Sequence, residues 1–364
     1  MILLSKLQPP EIRTKTLERN RLIDTLSQNL DKKVILLCAG AGYGKTTLLS
    51  HFLARTGVPA VYYHLEPTDA EPAVFFSYLV AGLQKLNTSF GKKVAQLRHL
   101  LNQPQRYLDL ISGTFINEVV ESIKEDTYII LEDYHALRPS AAIDNALNYI
   151  FRNMPPNLHF IITSRSEPEL YTALMRARDE FFDVTTQQLR FTKDEISRLF
   201  RNIYAIPLAA RDLEWVEKYS EGWPVSLRLM IQATRHPARL ASSEHARSMT
   251  AGYLRSQAGL FNYFAQEIYF QETPRMRRFL LECSLFEWLD PDLCNAATGR
   301  RNSRVLLAEL ARRNAFIFSL PEYGYRLHNL FREFLYSKFE DTKRRKAICV
   351  RAADYLAKAG KYDE

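Results

Sequence analysis

Apolar residues in the first half of the chain gather into short unbroken runs, separated by stretches with helical spacing. Four runs have strand length: Val34-Ile35-Leu36-Leu37-Cys38, Val61-Tyr62-Tyr63-His64-Leu65, Tyr128-Ile129-Ile130-Leu131 and His159-Phe160-Ile161-Ile162. They lack the polar alternation of a half-solvated strand, which predicts strands buried on both faces. Helical patterns over 45–55, 71–86 and 140–152 lie between them, with Pro72 suited to a first turn. Strands and helices in alternation predict an α/β fold with a parallel sheet covered on both sides.

Past residue 190 the strand signal fades. Thr192 and Glu195 have the spacing of a capping box, and a helical pattern runs through Trp215 to the break Gly222-Trp223-Pro224 and on to Thr234. Residues 236–257 are rich in Ala, Ser, Arg and Gly and read as a linker or mobile loop. Helical patterns return from Leu260, through Phe261, Phe264, Ile268, Met276, Phe279 and Leu280. The run Ala315-Phe316-Ile317-Phe318, with a turn signal at 321–324, fits a small hairpin. Helices followed by a hairpin outline a winged-helix module. An amphipathic helix follows from Lys346, and the turn signal after it predicts that the chain naturally continues.

Composition narrows the class. A chain of 364 residues is too long for one ordinary domain, and 46% hydrophobic with 25% charged residues is the balance of a soluble globular protein. No stretch approaches the ~18 consecutive apolar residues of a membrane span. Met1-Ile2-Leu3-Leu4 is too short for a secretory leader, so a cytoplasmic protein with no membrane partner is expected. The four cysteines are scattered, which gives no pattern for zinc or a disulfide framework; Cys38 is expected to be a small buried hydrophobe. The net charge of +8 comes with acidic residues interleaved along most of the chain. Solvated helix faces account for it, with a nucleic-acid contact as the alternative.

The strongest chemical signal is Ala39-Gly40-Ala41-Gly42-Tyr43-Gly44-Lys45-Thr46-Thr47, a phosphate-loop pattern between a predicted strand and a predicted helix. Its glycines let main-chain N–H groups turn around an anion, and Lys45 supplies positive charge for β- and γ-phosphates. The Thr46 hydroxyl is placed to hold Mg²⁺, and the new helix points its positive end at the phosphates. Such a loop needs acids at the end of another buried strand, and Glu132 and Asp133 follow Ile129-Ile130-Leu131. One can serve the metal and the other the attacking water; Asp133 is assigned the catalytic role and Glu132 the metal side. Thr163-Ser164-Arg165 ends the fourth run, where Arg165 can sense the γ-phosphate.

Taken together, these residues resemble the signal-transduction ATPases with numerous domains, and within them the large ATP-dependent LuxR-type transcriptional activators. The resemblance extends from Lys6-Leu7 and Leu17-Glu18-Arg19 through the phosphate loop, Asp133-Tyr134-His135 and Thr163-Ser164-Arg165. It continues at Leu189-Arg190-Phe191-Thr192 and Glu221-Gly222-Trp223-Pro224, and ends at Leu327-His328-Asn329-Leu330-Phe331. It implies a P-loop NTPase domain over 1–189, a helical lid over 190–235, a linker over 236–259 and a winged-helix domain over 260–345. Residues 346–364 would begin a truncated helical-repeat region. By the same resemblance, Arg19 lines the base or ribose side of ATP or ADP, Pro224 sits in the lid over the adenine, and His328 reaches the β-phosphate of ADP. The implied activity is a switch: an ADP-bound closed form, an ATP-bound form that self-oligomerises, and slow hydrolysis between them. An inducer would act through regions absent here, and DNA and RNA polymerase would be engaged only by the full-length protein. The departure is Glu132, where this family usually has Asp. The competing class is an ordinary P-loop enzyme, such as a kinase or an AAA-type motor with Arg176 or Arg178 as its finger. A module whose nucleotide is purely structural is a third.

Overall fold

The computed structural model describes residues 2–97, 99–100, 104–137, 140–234, 264, 268–320 and 324–359. The expected linker at 236–259, together with Phe261, Pro321 and residues 360–364, lies outside the described residues. The chain divides into two compact units: one of residues 1–39 and 44–189, the other of residues 40–43 and 190–364.

The first unit is built on a five-stranded sheet in the order β2-β3-β4-β1-β5, with every pairing parallel. The strands are β1 (Val34–Cys38), β2 (Ala60–His64), β3 (Thr127–Glu132), β4 (Leu158–Ser164) and β5 (Phe181–Thr185). The three central strands are almost wholly buried, as their unbroken apolar runs require. Helices Lys45–Thr56, Pro72–Leu83 and Ala141–Asn153 fall where the periodicity places them, the last capped by Ser140. Pro72–Leu83 lies flush on β2: a Cβ added at Gly82 would stand 2.2 Å from Val61 Cγ1. One continuous core runs through Phe75, Phe76, Phe115, Leu147 and Phe160.

Two elements of this unit escaped the sequence pattern. Strand β5 pairs only with β1 and buries just Phe181 and Val184, with Phe182 and Asp183 half-buried between them and Thr185 exposed, so its apolar signal is weak. Helix Pro104–Ser122 places Leu108, Ile111, Phe115 and Val119 on one buried face, but Gly113 and a ring of polar residues dilute the period.

In the second unit, Thr192 caps helix Lys193–Arg198 with the reciprocal box expected: Glu195 N–H donates to Thr192 Oγ1 and Thr192 N–H to Glu195 Oε2. Helix Ala210–Ser220 ends at Glu221 in the left-handed region, Gly222 follows at φ 69°, and Pro224 opens helix Pro224–Thr234. This corner tolerates no side chain at Gly222, because an added Cβ would meet Phe191 O at 2.5 Å and Phe191 N at 2.9 Å. Gly222→Ala is therefore expected to cost more than ~2 kcal/mol, combining backbone strain with a collision against main chain. A thermal midpoint within a degree of the parent would contradict this.

Beyond the corner come helices Pro274–Cys283, Pro291–Thr298 and Ser303–Arg312, the antiparallel hairpin β6 (Ile317–Leu320) and β7 (Gly324–Leu327), and helix Asn329–Lys338. Helices ahead of a hairpin, with a further helix after it, make the winged-helix arrangement. Thr342–Lys358 packs through Ile348 and Ala352 onto Leu293 and Ala297. No described helix is long and apolar enough to cross a membrane.

Candidate nucleotide site

Parallel strands deliver their C-terminal ends to one edge of the sheet, where open α/β folds bind ligands. Register puts Cys38 beside Ser164, and His64 beside Glu132. Ala39 N–H donates to Ser164 O at 3.2 Å, and the chain then turns through Gly42 (φ 76°) and Gly44 (φ 80°) into helix Lys45–Thr56. Both glycines sit in the left-handed region, which is why the loop needs them. Lys45 is 7% exposed, and its ammonium donates to Ala39 O at 2.6 Å. Burial pushes its pKa down to about 8, against the upward pull of Asp133, Glu132 and Cys38. Cys38 itself is only half-buried at the strand end, not the enclosed hydrophobe expected.

The two carboxylates differ in environment. Burial pushes against ionisation of Glu132, but hydrogen bonds from His64, Thr46 and Tyr62 outweigh it and hold its pKa below the usual range. Its Oε2 accepts from the Tyr62 hydroxyl and lies 3.1 Å from His64 Nδ1, while its buried Oε1 has no hydrogen-bond partner. Asp133 moves the opposite way, raised by burial and by the neighbouring Glu132 charge despite Lys45 and Arg165. Its backbone is left-handed at φ 59°, and its N–H donates to Thr163 Oγ1 at 2.9 Å. His135 Nδ1 lies 3.8 Å from Asp133 Oδ1 and accepts from Arg165 N–H at 3.4 Å, linking the ends of β3 and β4. Two acids pushed apart in pKa are what a division between charge-holding and water-handling requires.

Within this unit the predicted residues Lys45, Thr46, Glu132, Asp133 and Arg165 share one edge of the sheet. Arg19 is elsewhere in its bonding: it is 6% exposed, with Nη1 donating to Leu189 O at 2.7 Å. The sequence reading gave no role to Tyr62, His64 or His135, whose signal is only visible once strand register is known. Arg176, considered as a finger, is forked onto Asp183 through Nε and Nη2, both at 2.9 Å, and stacks on Phe181.

Residues Gly40–Tyr43 of the loop cluster with the second unit. Trp223 is fully buried, and its indole N–H donates to Ala41 O at 3.1 Å. A Cβ at Gly40 would stand 2.7 Å from Asn314 O, so only glycine fits there. Tyr43 is buried 6.3 Å from the Phe316 ring, and burial drives its hydroxyl well above its usual pKa. The phosphate-loop tyrosine thus packs as a core residue of this unit.

His328 caps helix Asn329–Lys338, with Nδ1 accepting from Leu330 N–H at 3.2 Å. It is fully buried beside Trp223 and Phe316, and Nε2 makes no hydrogen bond of ordinary geometry. Burial pushes its pKa down to about 4, despite the nearby Glu221 and the Ser220 backbone, with Arg190 and Arg326 adding to the fall. Glu221 accepts from Arg326 at 2.9 and 2.7 Å and from Asn329 N–H at 3.0 Å. Burial opposes its ionisation, yet these partners and His328 hold its pKa at about 2.

Both groups make this unit acid-sensitive. His328 stays neutral when folded, so its contribution is complete above pH 6.5 and is lost as pH falls towards 4. Glu221 contributes fully above pH 4.5 and loses that contribution as pH falls towards 2. Each shift corresponds to on the order of 3 kcal/mol. Thermal midpoints measured from pH 7 to pH 4 should fall, and His328→Gln should flatten that slope; equal slopes in both proteins would refute the assignment.

No group of three or more metal-ligating His, Cys, Asp or Glu side chains occurs among the described residues. The donor set at the sheet edge, one hydroxyl and two carboxylates beside a main-chain cradle, fits instead a cation held jointly with phosphate oxygens.

Comparisons with known proteins agree with this architecture. Residues 265–347 match the MalT winged helix domain. The HTH-type transcriptional regulator MalT of Vibrio cholerae is 29% identical over 337 residues, covering 91% of this chain and 36% of the relative. That of Yersinia enterocolitica is 31% identical over 339 residues, covering 92% and 36%. The chain therefore spans little more than a third of the length of these relatives. Among solved structures, a Walker-type ATPase of Pyrococcus abyssi superposes with a TM-score of 0.57 at 17% identity, over 92% of this chain and 99% of its own. The chain is MalT-like: it runs alongside the N-terminal part of those regulators, joining a P-loop ATPase fold to a segment that matches their winged helix domain.

Proposed function

We propose that this chain is the nucleotide-operated switch region of a cytoplasmic transcriptional regulator, binding ATP or ADP with Mg²⁺. The convergence of a glycine cradle, a buried ammonium and two carboxylates of opposite pKa displacement on one sheet edge carries this reading. Residues 39–47 would wrap the phosphates, with Lys45 leaving Ala39 O for the β- and γ-oxygens. Thr46 and Glu132 would hold Mg²⁺, which when bound neutralises phosphate charge and polarises the γ-phosphoryl group. Asp133, with its raised pKa, would orient the attacking water and take its proton. Arg165 would report the γ-phosphate, and Arg19 and Pro224 would lie along the nucleoside.

His328 is read as the ADP-sensing residue. A fully buried, neutral imidazole whose Nδ1 accepts from Leu330 N–H carries its proton on Nε2, which would exchange the Ser220 backbone for a phosphate oxygen. The closed form would hold ADP; ATP and an inducer would favour an open, self-associating form. Moving such a population from almost all closed to almost all open takes about 5.5 kcal/mol of differential affinity. The inducer, DNA and RNA polymerase would be engaged through parts of the protein outside this chain.

An AAA-type motor is the second reading; of its two finger candidates, Arg176 is already committed to Asp183, which leaves Arg178. Turnover separates the two. A switch is expected to hydrolyse ATP slowly and to keep its ADP, whereas typical enzymes have kcat values of about 1–10³ s⁻¹. Multiple turnovers per second would overturn the switch.

A further inference from the structure

We infer that Tyr62 and His64 are positioning residues for Glu132, clamping one of its carboxylate oxygens so that the other is presented to the metal-bearing end of the nucleotide. The inference rests on the nucleotide reading above and adds two residues that it does not use.

His64 is the direct partner of Glu132 across the β2–β3 ladder, and Tyr62, two residues earlier, projects from the same face of β2. Both bring their polar atoms to the same oxygen: the Tyr62 hydroxyl donates to Oε2, and His64 Nδ1 lies 3.1 Å from it. Oε1, equally buried, makes no hydrogen bond of ordinary geometry, although the Thr46 hydroxyl also acts on this carboxylate. Glu132 is 2% exposed, so the missing partner is not supplied by an open protein surface. Such an orphaned acceptor is costly unless a ligand completes it. A cavity of about 470 Å³ runs alongside, lined by Thr46, Tyr62, His64, Glu132 and Asp133 with the N-terminal Ser5 and Lys6.

A glutamate has one more rotatable bond than an aspartate. Its carboxylate wanders more unless it is fixed from outside, and ordering it on binding costs side-chain entropy. Two donors from a neighbouring strand fix it beforehand, from rigid elements and not from a loop. The same clamp sets which oxygen faces the metal, because an oxygen already accepting two hydrogen bonds is the poorer ligand.

The test separates metal-dependent from metal-independent binding. Affinity for a fluorescent ATP analogue is measured with Mg²⁺ and again in EDTA, for the parent, Tyr62→Phe, and a Tyr62→Phe/His64→Ala double variant. The double variant should lose about tenfold of the Mg²⁺-dependent gain, in line with ligand-orienting residues elsewhere, while its affinity in EDTA stays within about twofold. His64→Asn, whose amide nitrogen overlies Nδ1, should restore most of the gain that His64→Ala loses. Tyr62→Phe preserves the packed ring, so it reports the clamp even if the double variant folds poorly. An undiminished Mg²⁺-dependent gain in both Tyr62→Phe and the double variant would overturn the inference, as would an equal loss with and without metal. A parent that binds no nucleotide under either condition would instead sink the nucleotide reading, and this inference with it.

Discussion

Replacing Lys45 by alanine should weaken ATP and ADP binding about a hundredfold, the equivalent of one strong charge-assisted contact of ~3 kcal/mol. The lysine is buried, and its ammonium already donates to the Ala39 carbonyl, so it stands at the cradle without needing to be recruited from solvent. Its lowered pKa adds a signature that a surface lysine would not give. A polyphosphate favours the charged amine, so binding takes up a proton once the pH exceeds about 8. Affinity should therefore be flat below pH 8 and decline above it, and Lys45→Ala should abolish that decline along with the affinity. Titration calorimetry between pH 7 and 10 measures both. A variant that binds as the parent does, or a parent with no alkaline decline, contradicts the placement.

The second large effect is expected at His328. If its Nε2 meets the β-phosphate, His328→Ala removes a hydrogen bond to a charged group, worth about 1.5–3 kcal/mol, and ADP release should accelerate about ten- to a hundredfold. The variant should also shift towards the self-associated form, since the contact favouring the closed form is gone. Stopped-flow release of a fluorescent ADP and sedimentation in the same buffer read the two consequences. His328→Gln, which keeps a hydrogen-bond donor, should fall between them. Unchanged release together with an unchanged monomer would leave His328 as nothing more than the cap and packing residue of its helix.

The elements that bury both faces were legible from residue order. Runs such as Val34-Ile35-Leu36-Leu37 admit no other placement than an interior strand, and the glycine spacing ahead of Lys45 admits little else than an anion loop. Strand β5 was not legible, because an edge strand with one ladder partner needs no continuous apolar run and Phe181-Phe182-Asp183-Val184-Thr185 has none. Helix Pro104–Ser122 was lost for a different reason: polar Ser112 and Glu118 are buried among Ile111, Phe115 and Val119 and break the apolar pattern.

The same contrast holds at the site. Residues that act through main chain and short spacing, 39–47 and 132–133, are visible as words in the sequence. Residues that act by meeting across the sheet are not, because Tyr62, His64 and Glu132 become neighbours only when β2 and β3 take their register. Tyr43 shows the opposite failure. Its place in the phosphate loop gives no hint that its ring is buried in the second unit near Phe316. Glu221, Arg326 and His328 are likewise more than a hundred residues apart at the extremes, and long-range ion pairing of this kind leaves no local pattern.

The cradle between β1 and its following helix is expected to hold an adenine nucleotide. Mass spectrometry of the small molecules released when the purified chain is denatured gives the most direct answer. Near-stoichiometric ADP or ATP in the parent, and its absence after Lys45→Ala, is the predicted result. A parent that releases no nucleotide, and that fails to bind ATP or ADP when either is supplied with Mg²⁺, would contradict it.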